Sequence, residues 1–228
     1  MATKLTWLGH GSWLVKSGST SILLDPFLND SPTSPIKSAD VSPDFILLSH
    51  GHFDHVSDVA EIANRTAAQI IAPYEVSMWF QKEHDLKNTS EMNVGGGAEF
   101  PFGHLRMTNA IHSSCMPDGS YGGQPAGFVL TLSDGKIYFA CDTALFSDMQ
   151  QLATLEIDLA VLPIGDRFTM GPDDAVEAVK WIKPRRVAPA HYNTWPLIEQ
   201  DASAWAERVE RETPAKAIVV EPGQDFNL

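Results

Sequence analysis

The sequence predicts an α/β fold of two similar halves packed face to face, each a β-sheet with helices on its outer side. Three observations point there. Short apolar runs alternate with helix-length patterns in the order β-rich, βα, β-rich, βα. Some runs are continuously apolar, as strands buried on both faces would be. Metal-capable side chains recur directly after such runs, where α/β folds carry their functional crevice. The 228 residues, 43% of them hydrophobic, suit a single domain over 1–228 with a packed core.

Strands are expected over 5–8, 13–15 and 21–24, parted by turn-prone Gly11-Ser12 and Ser17-Gly18-Ser19. The Ser- and Pro-rich stretch 29–44 reads as a loop. Phe45-Ile46-Leu47-Leu48 is a strand buried on both faces, followed by a helix from about Asp54 to about Arg65. A strand at 70–72 leads to Pro73, which opens a helix over 75–83. Strands follow over 99–102, 105–111, 127–132 and 136–140, the last two joined by a hairpin turn at Ser133-Asp134-Gly135. The βα pattern then returns with a strand at 159–162. Gly171-Pro172 starts a helix with Pro at its first position, and Ala175, Val179 and Ile182 form its apolar face. A strand at 187–190 ends at His191, Trp205 and Val209 mark a late helix, and 217–220 is the last strand. Strand order is not legible from the sequence.

Acidic residues outnumber basic ones 29 to 16, a net charge of −13. Such a surface repels nucleic acid and anionic membranes at long range. Cys115 and Cys141 form no C-x-x-C pair, so neither a disulfide framework nor a thiolate zinc site is indicated, and both read as small buried apolar side chains. The N-terminus shows no signal-peptide pattern and no apolar run reaches membrane-spanning length, so the expected compartment is the cytoplasm.

The strongest chemical signal is His50-Gly51-His52-Phe53-Asp54-His55, directly after the strand ending at Ser49. In extended backbone His50 and His52 point the same way. A turn into helix carries Asp54 and His55 to the other side of the strand end. One loop can then serve two cations, and imidazole with carboxylate but no thiolate suits Zn, Mn, Fe, Co or Ni. His112, Asp142 and His191 each follow another strand. His10, in a Gly-rich turn, reads either as a group touching substrate or ligands or as a hydrogen-bonded structural histidine. Asp25 reads either as the carboxylate that orients a metal-bound His or as a turn residue. Asp166 and Thr169 are candidate substrate contacts, and His84 and His104 read as ordinary residues.

This spacing resembles the metallo-β-lactamase superfamily, whose pattern is H-x-H-x-D-H, then His, a bridging Asp and a final His. Trp7-Leu8-Gly9-His10-Gly11-Ser12, Leu24-Asp25-Pro26-Phe27, Cys141-Asp142-Thr143, Leu162-Pro163-Ile164-Gly165-Asp166 and Ala190-His191-Tyr192-Asn193-Thr194 resemble its UPF0173 metal-dependent hydrolases. Ascorbate-6-phosphate lactonases and N-acyl-phosphatidylethanolamine phospholipases are relatives of that subfamily. The resemblance spans nearly the whole chain. It implies an αββα sandwich of two mixed β-sheets with helices on the outer faces. It also implies two divalent metal ions, with His50, His52 and His112 on the first, Asp54, His55 and His191 on the second, and Asp142 bridging. Zn is the first choice, with Mn or Fe as alternatives. Two departures stand out: Cys141 replaces the usual Gly before the bridging Asp, and Arg167 replaces a His after Asp166.

The implied activity is that of a metal-dependent hydrolase using a metal-bound hydroxide on a small anionic ester, lactone or phosphodiester. Asp54, Asp142 and His10 are the candidate catalytic residues. A nuclease-type phosphodiesterase is the first alternative, weakened by the lack of a basic patch. A di-iron redox protein on the same fold is the second. Such proteins place Glu where this chain has His52 and carry a flavin or rubredoxin-like module. The expected partner is a small-molecule substrate, with no nucleic acid and no membrane. Homo-oligomerisation is left open.

Overall fold

A computed structural model describes residues 2–228. The first sheet begins with β1 (Lys4–Trp7), β2 (Trp13–Ser17), β3 (Thr20–Leu24) and β4 (Phe45–Leu47). After α1 (Phe53–Val56) and α2 (Val59–Thr66) come β5 (Gln69–Pro73), α3 (Tyr74–His84) and β6 (Thr89–Met92). The second sheet holds β7 (Gly97–Phe100), β8 (Gly103–Asn109), β9 (Ala126–Leu132), β10 (Gly135–Phe139) and β11 (Leu159–Pro163). It continues through α4 (Pro172–Ile182), β12 (Arg186–Ala190), α5 (Ala202–Glu212) and β13 (Lys216–Ala217), and β14 (Asp225–Asn227) ends the chain.

The strand orders are β14-β1-β2-β3-β4-β5-β6 and β13-β12-β11-β10-β9-β8-β7. Within each sheet three antiparallel pairings give way to three parallel ones. β1–β6 is thus repeated as β8–β13, and the expected αββα sandwich of two mixed sheets is what the chain forms. The continuous apolar runs have the expected cause. Phe45 and Leu47 join the core between the sheets, while Ile46 and Leu48 join the layer under α2 and α3. Ile70 and Ile71 divide in the same way. Alternate side chains of a strand point to opposite faces, so both faces of β4 and β5 are covered.

Four expectations need correction. The helix foreseen from Asp54 to Arg65 is two helices: the Asp58 backbone N–H donates out of the helix to Pro26 O at 3.4 Å, and Asp58 begins α2, its carbonyl accepting from Ile62 N–H. Its side-chain Oδ2 accepts from the backbone N–H of Leu28 at 2.5 Å and of Asn29 at 3.1 Å and so holds the loop after β3. The strand foreseen at 99–102 lies at Gly97–Phe100, and Phe102 turns inward to meet Phe45 edge-on at 5.0 Å. The last strand pairs only over Lys216–Ala217, because the chain then crosses to the first sheet, where β14 pairs with β1. Cys115 is exposed and Cys141 half-buried. Two strands went unforeseen. β6 (Thr89-Ser90-Glu91-Met92) is a polar edge strand without apolar alternation, and β14 has three residues. Among the described residues no helix is long and apolar enough to cross a membrane.

Candidate metal centre

The loops that leave the strands at one end of the sandwich converge on one spot. His52 caps α1 in extended backbone (φ −64°, ψ 147°), so the chain turns into helix immediately after it, as the motif spacing implies. His50 Nε2 lies 2.9 Å from His52 Nδ1, and the His112 ring stands 5.1 Å from both imidazoles. One ligand atom from each of these three falls within 4.8 Å of the others. A second group, His10, Asp54, His55 and His191, meets the same limit. Asp142 sits between the two. Its Oδ2 is 3.6 Å from His112 Nε2 in the first group, and 3.4 Å and 3.0 Å from His55 Nε2 and His191 Nε2 in the second. Every ligand candidate named from the sequence is therefore in one place.

Hydrogen bonding fixes which nitrogens face the centre. Asp25 Oδ1 accepts from the Ser49 N–H at 2.8 Å, and Oδ2 accepts from Ser49 Oγ at 2.6 Å and from His55 Nδ1 at 3.0 Å. An ionised carboxylate only accepts, so the hydroxyl proton of Ser49 points to Asp25. His50 Nδ1, 2.9 Å from Ser49 Oγ, must then carry its own proton and donate it to that oxygen. Both His50 and His55 are thereby held with Nδ1–H donated away from the centre and Nε2 turned toward it. Asp25 takes the orienting role that the sequence left open. His10 is oriented the other way round: its Nε2–H donates to Asp54 Oδ2 at 3.0 Å, and its Nδ1 accepts from Thr194 Oγ1 at 2.7 Å. Burial, with help from His191, pushes the His10 imidazole down to about 3, so it is neutral and its contact with Asp54 is a hydrogen bond. Neither Ser49 nor Thr194 was assigned a role from sequence.

The donor set fits a cation. The buried His55 Nε2 and both ring nitrogens of His191 form no hydrogen bond, although Asp142 lies within ion-pairing distance. Unpartnered buried nitrogens are costly unless something else satisfies them, and a cation would. The local field asks for positive charge. Burial alone would lower the His55 imidazole, but Asp142, Asp25 and Asp54 outweigh it and hold it well above its usual range. Burial alone would raise the Asp142 carboxyl, but the His191 and His55 imidazoles hold it well below the usual carboxylate range. Backbone strain gathers here too. His10, Asp25, Cys141 and His191 all have positive φ, of 51°, 43°, 54° and 54°. Left-handed backbone costs a residue with a side chain about 1–2 kcal/mol, and it persists where the surroundings over-determine it. At Cys141 the same φ is one that Gly would adopt without that cost.

An open cavity of ≈ 430 Å³ lies over this cluster, with His52, Asp54, Asp142 and His191 in its floor. Asp166 and Thr169, foreseen as substrate contacts, instead shape a turn. The Asp166 N–H donates to Met170 O at 3.0 Å and the Thr169 N–H to Asp166 O at 2.6 Å, and the turn presents Phe168 to the cavity.

Residues 20–192 match the beta-lactamase superfamily domain. The chain belongs to the metallo-β-lactamase superfamily. Its match to UPF0173 metal-dependent hydrolases runs end to end: it is 42% identical to one from Desulforamulus reducens over 99% of this chain and 100% of the relative. A Bacillus cereus UPF0173 hydrolase is 43% identical, again over 99% and 100%. Igni18, a metallo hydrolase from Ignicoccus hospitalis, superimposes with a TM-score of 0.89 at 32% identity, covering 100% of this chain and 99% of that one. This UPF0173 chain is a metal-dependent hydrolase, and its His and Asp clusters are the candidate metal-binding groups.

Proposed function

We propose that this hydrolase holds two divalent cations and cleaves a small anionic ester, lactone or phosphodiester. His50, His52 and His112 would hold the first cation, and Asp54, His55 and His191 the second. Asp142 would join them. The observation that carries this reading is the single Asp142 oxygen within 3.6 Å of nitrogens from both clusters. A carboxylate alone in this set can bridge two cations while offsetting their repulsion. Zn is the first choice for a nitrogen-rich set without thiolate, with Mn or Fe as alternatives.

When bound, paired cations lower the pKa of water toward about 7 and polarise the scissile group. The chain's own residues do the positioning. Asp25 and Ser49 fix the His50 and His55 rings, and His10, itself held by Thr194, fixes the Asp54 carboxylate. In the net reaction the water oxygen bonds to the acyl carbon or phosphorus and the released oxygen takes up a proton. Two divalent cations carry more positive charge than Asp54 and Asp142 cancel, so the floor favours an anionic group. Net charge −13 over the molecule weighs against an extended polyanion and for a compact substrate.

Elemental analysis of protein purified without chelator should approach two metal equivalents, with turnover on a panel of lactones, carboxylic esters and phosphodiesters. Full activity at a saturated stoichiometry of one equivalent would sink the two-cation reading.

A further inference from the structure

The cavity is reactive at its floor and apolar at its wall. Phe53, Phe168, Trp195 and Leu197 line it above the ligand candidates. Three of them are large apolar side chains left open to solvent: Phe53 is 58% exposed, Phe168 48% and Leu197 58%. A lone exposed hydrophobic needs no explanation, but several around one concave site mark a binding surface. The wall is braced. Phe53 stands edge-on to Phe27 with ring centroids 5.9 Å apart and tilts against Trp195 at 6.3 Å, and Trp195 meets His10 edge-on at 4.9 Å. His10 in turn holds Asp54, so wall and floor share one rigid frame. Among the described residues no Lys or Arg lines the cavity. The nearby guanidinium of Arg167 lies against the Phe168 ring, 5.8 Å from its centroid. The described lining residues above the floor therefore offer the non-reacting part of a substrate mainly apolar surface.

We propose that the substrate joins an oxygen-rich hydrolysable head, held at the floor, to an apolar body of several carbons packed against Phe53, Phe168, Trp195 and Leu197. The proposal rests on the metal-site reading for the head, and the wall alone argues for the body. A volume of ≈ 430 Å³ has room for both.

The test is calorimetric binding of acetate, butyrate, hexanoate and 4-phenylbutyrate to the metal-loaded protein. These carboxylates share one head and differ only in the body. Affinity should climb along the aliphatic series, by up to about fourfold per buried methylene, and 4-phenylbutyrate should quench Trp195 fluorescence. Phe168→Ser with Leu197→Ser should remove most of the gain for hexanoate while leaving acetate affinity and metal content unchanged. Equal affinity for acetate and hexanoate would overturn the apolar-body proposal and spare the metal site. Hexanoate binding that is indifferent to added metal would do the reverse. No binding by any member would overturn both. Wild-type protein that sediments with phosphatidylcholine vesicles and is released by the double substitution would make the wall a lipid contact, and the proposal would fall.

Discussion

At Asp25 one buried carboxylate accepts from Ser49 and His55, and through Ser49 it also sets the proton on His50. Asp25→Asn would put an amide N–H where only acceptors serve. Metal affinity should fall about 10- to 100-fold, the usual cost of losing a carboxylate behind a ligating imidazole. Competition against a coloured chelator measures it, and wild-type affinity would show that Asp25 does not orient the ligands. Asp142→Ala removes the carboxylate that lies within 3.6 Å of nitrogens from both clusters. It should abolish turnover and lower bound metal below two equivalents while the circular dichroism spectrum stays native. Normal turnover with both metals retained would count against bridging. The His50–His55 cluster was legible from sequence because it lies within one loop. The partner of His10 was not, since Thr194 is 184 residues away and Thr is common outside active sites.

Among the elements, the loops after β1 and β11 come so near the ligands that a methyl group would intrude. A Cβ at Gly11 would stand 2.9 Å from His55 Cε1, and one at Gly165 2.2 Å from the carbonyl oxygen of His191. Gly11→Ala and Gly165→Ala should each weaken metal binding by displacing one imidazole. Gly18→Ala is the control: its φ of +60° imposes backbone strain, but nothing lies within 4 Å of the added atom. Thermal shift should register Gly18→Ala as a stability loss of about 1–2 kcal/mol, with metal content intact. Equal loss of metal in all three variants would reduce the effect to general destabilisation. Elements with strong periodicity, such as α4 and the buried strands β4 and β5, were readable because burial dictates their composition. β6 is an edge strand and β14 is short, so neither leaves an apolar signature.

For the whole molecule, ligands from both halves meet at one end of the sandwich: His50 to His55 follow the first sheet, and His112, Asp142 and His191 the second. Metal binding should therefore clamp the halves together. At a free-metal concentration 100 times the dissociation constant, each site stabilises the folded state by about 2.7 kcal/mol, a rise of roughly 5–10 °C in melting temperature for a chain of this size. A melting temperature unmoved by chelation and reloading would show that the site lies outside the folding cooperativity. Net charge −13 gives a second expectation: little cleavage of single-stranded RNA or DNA at low or moderate salt. Efficient, salt-tolerant nucleic-acid cleavage without activity on small anions would reverse the substrate reading.

The sequence by itself determined the αββα plan and the ligand candidates. Strand burial writes itself into continuous apolar runs, and a loop that serves metals must use His and Asp at tight spacing. Only the tertiary structure decided the rest. The repeat of three antiparallel and three parallel pairings depends on contacts between distant strands. So does the placement of the Asp142 oxygen between the two histidine clusters. Along the chain nothing sets Phe53, Phe168 and Trp195 apart from other hydrophobic residues. Their place above the metal-binding groups follows from the start of α1 and two separate loops reaching the same mouth, and no local pattern encodes that convergence.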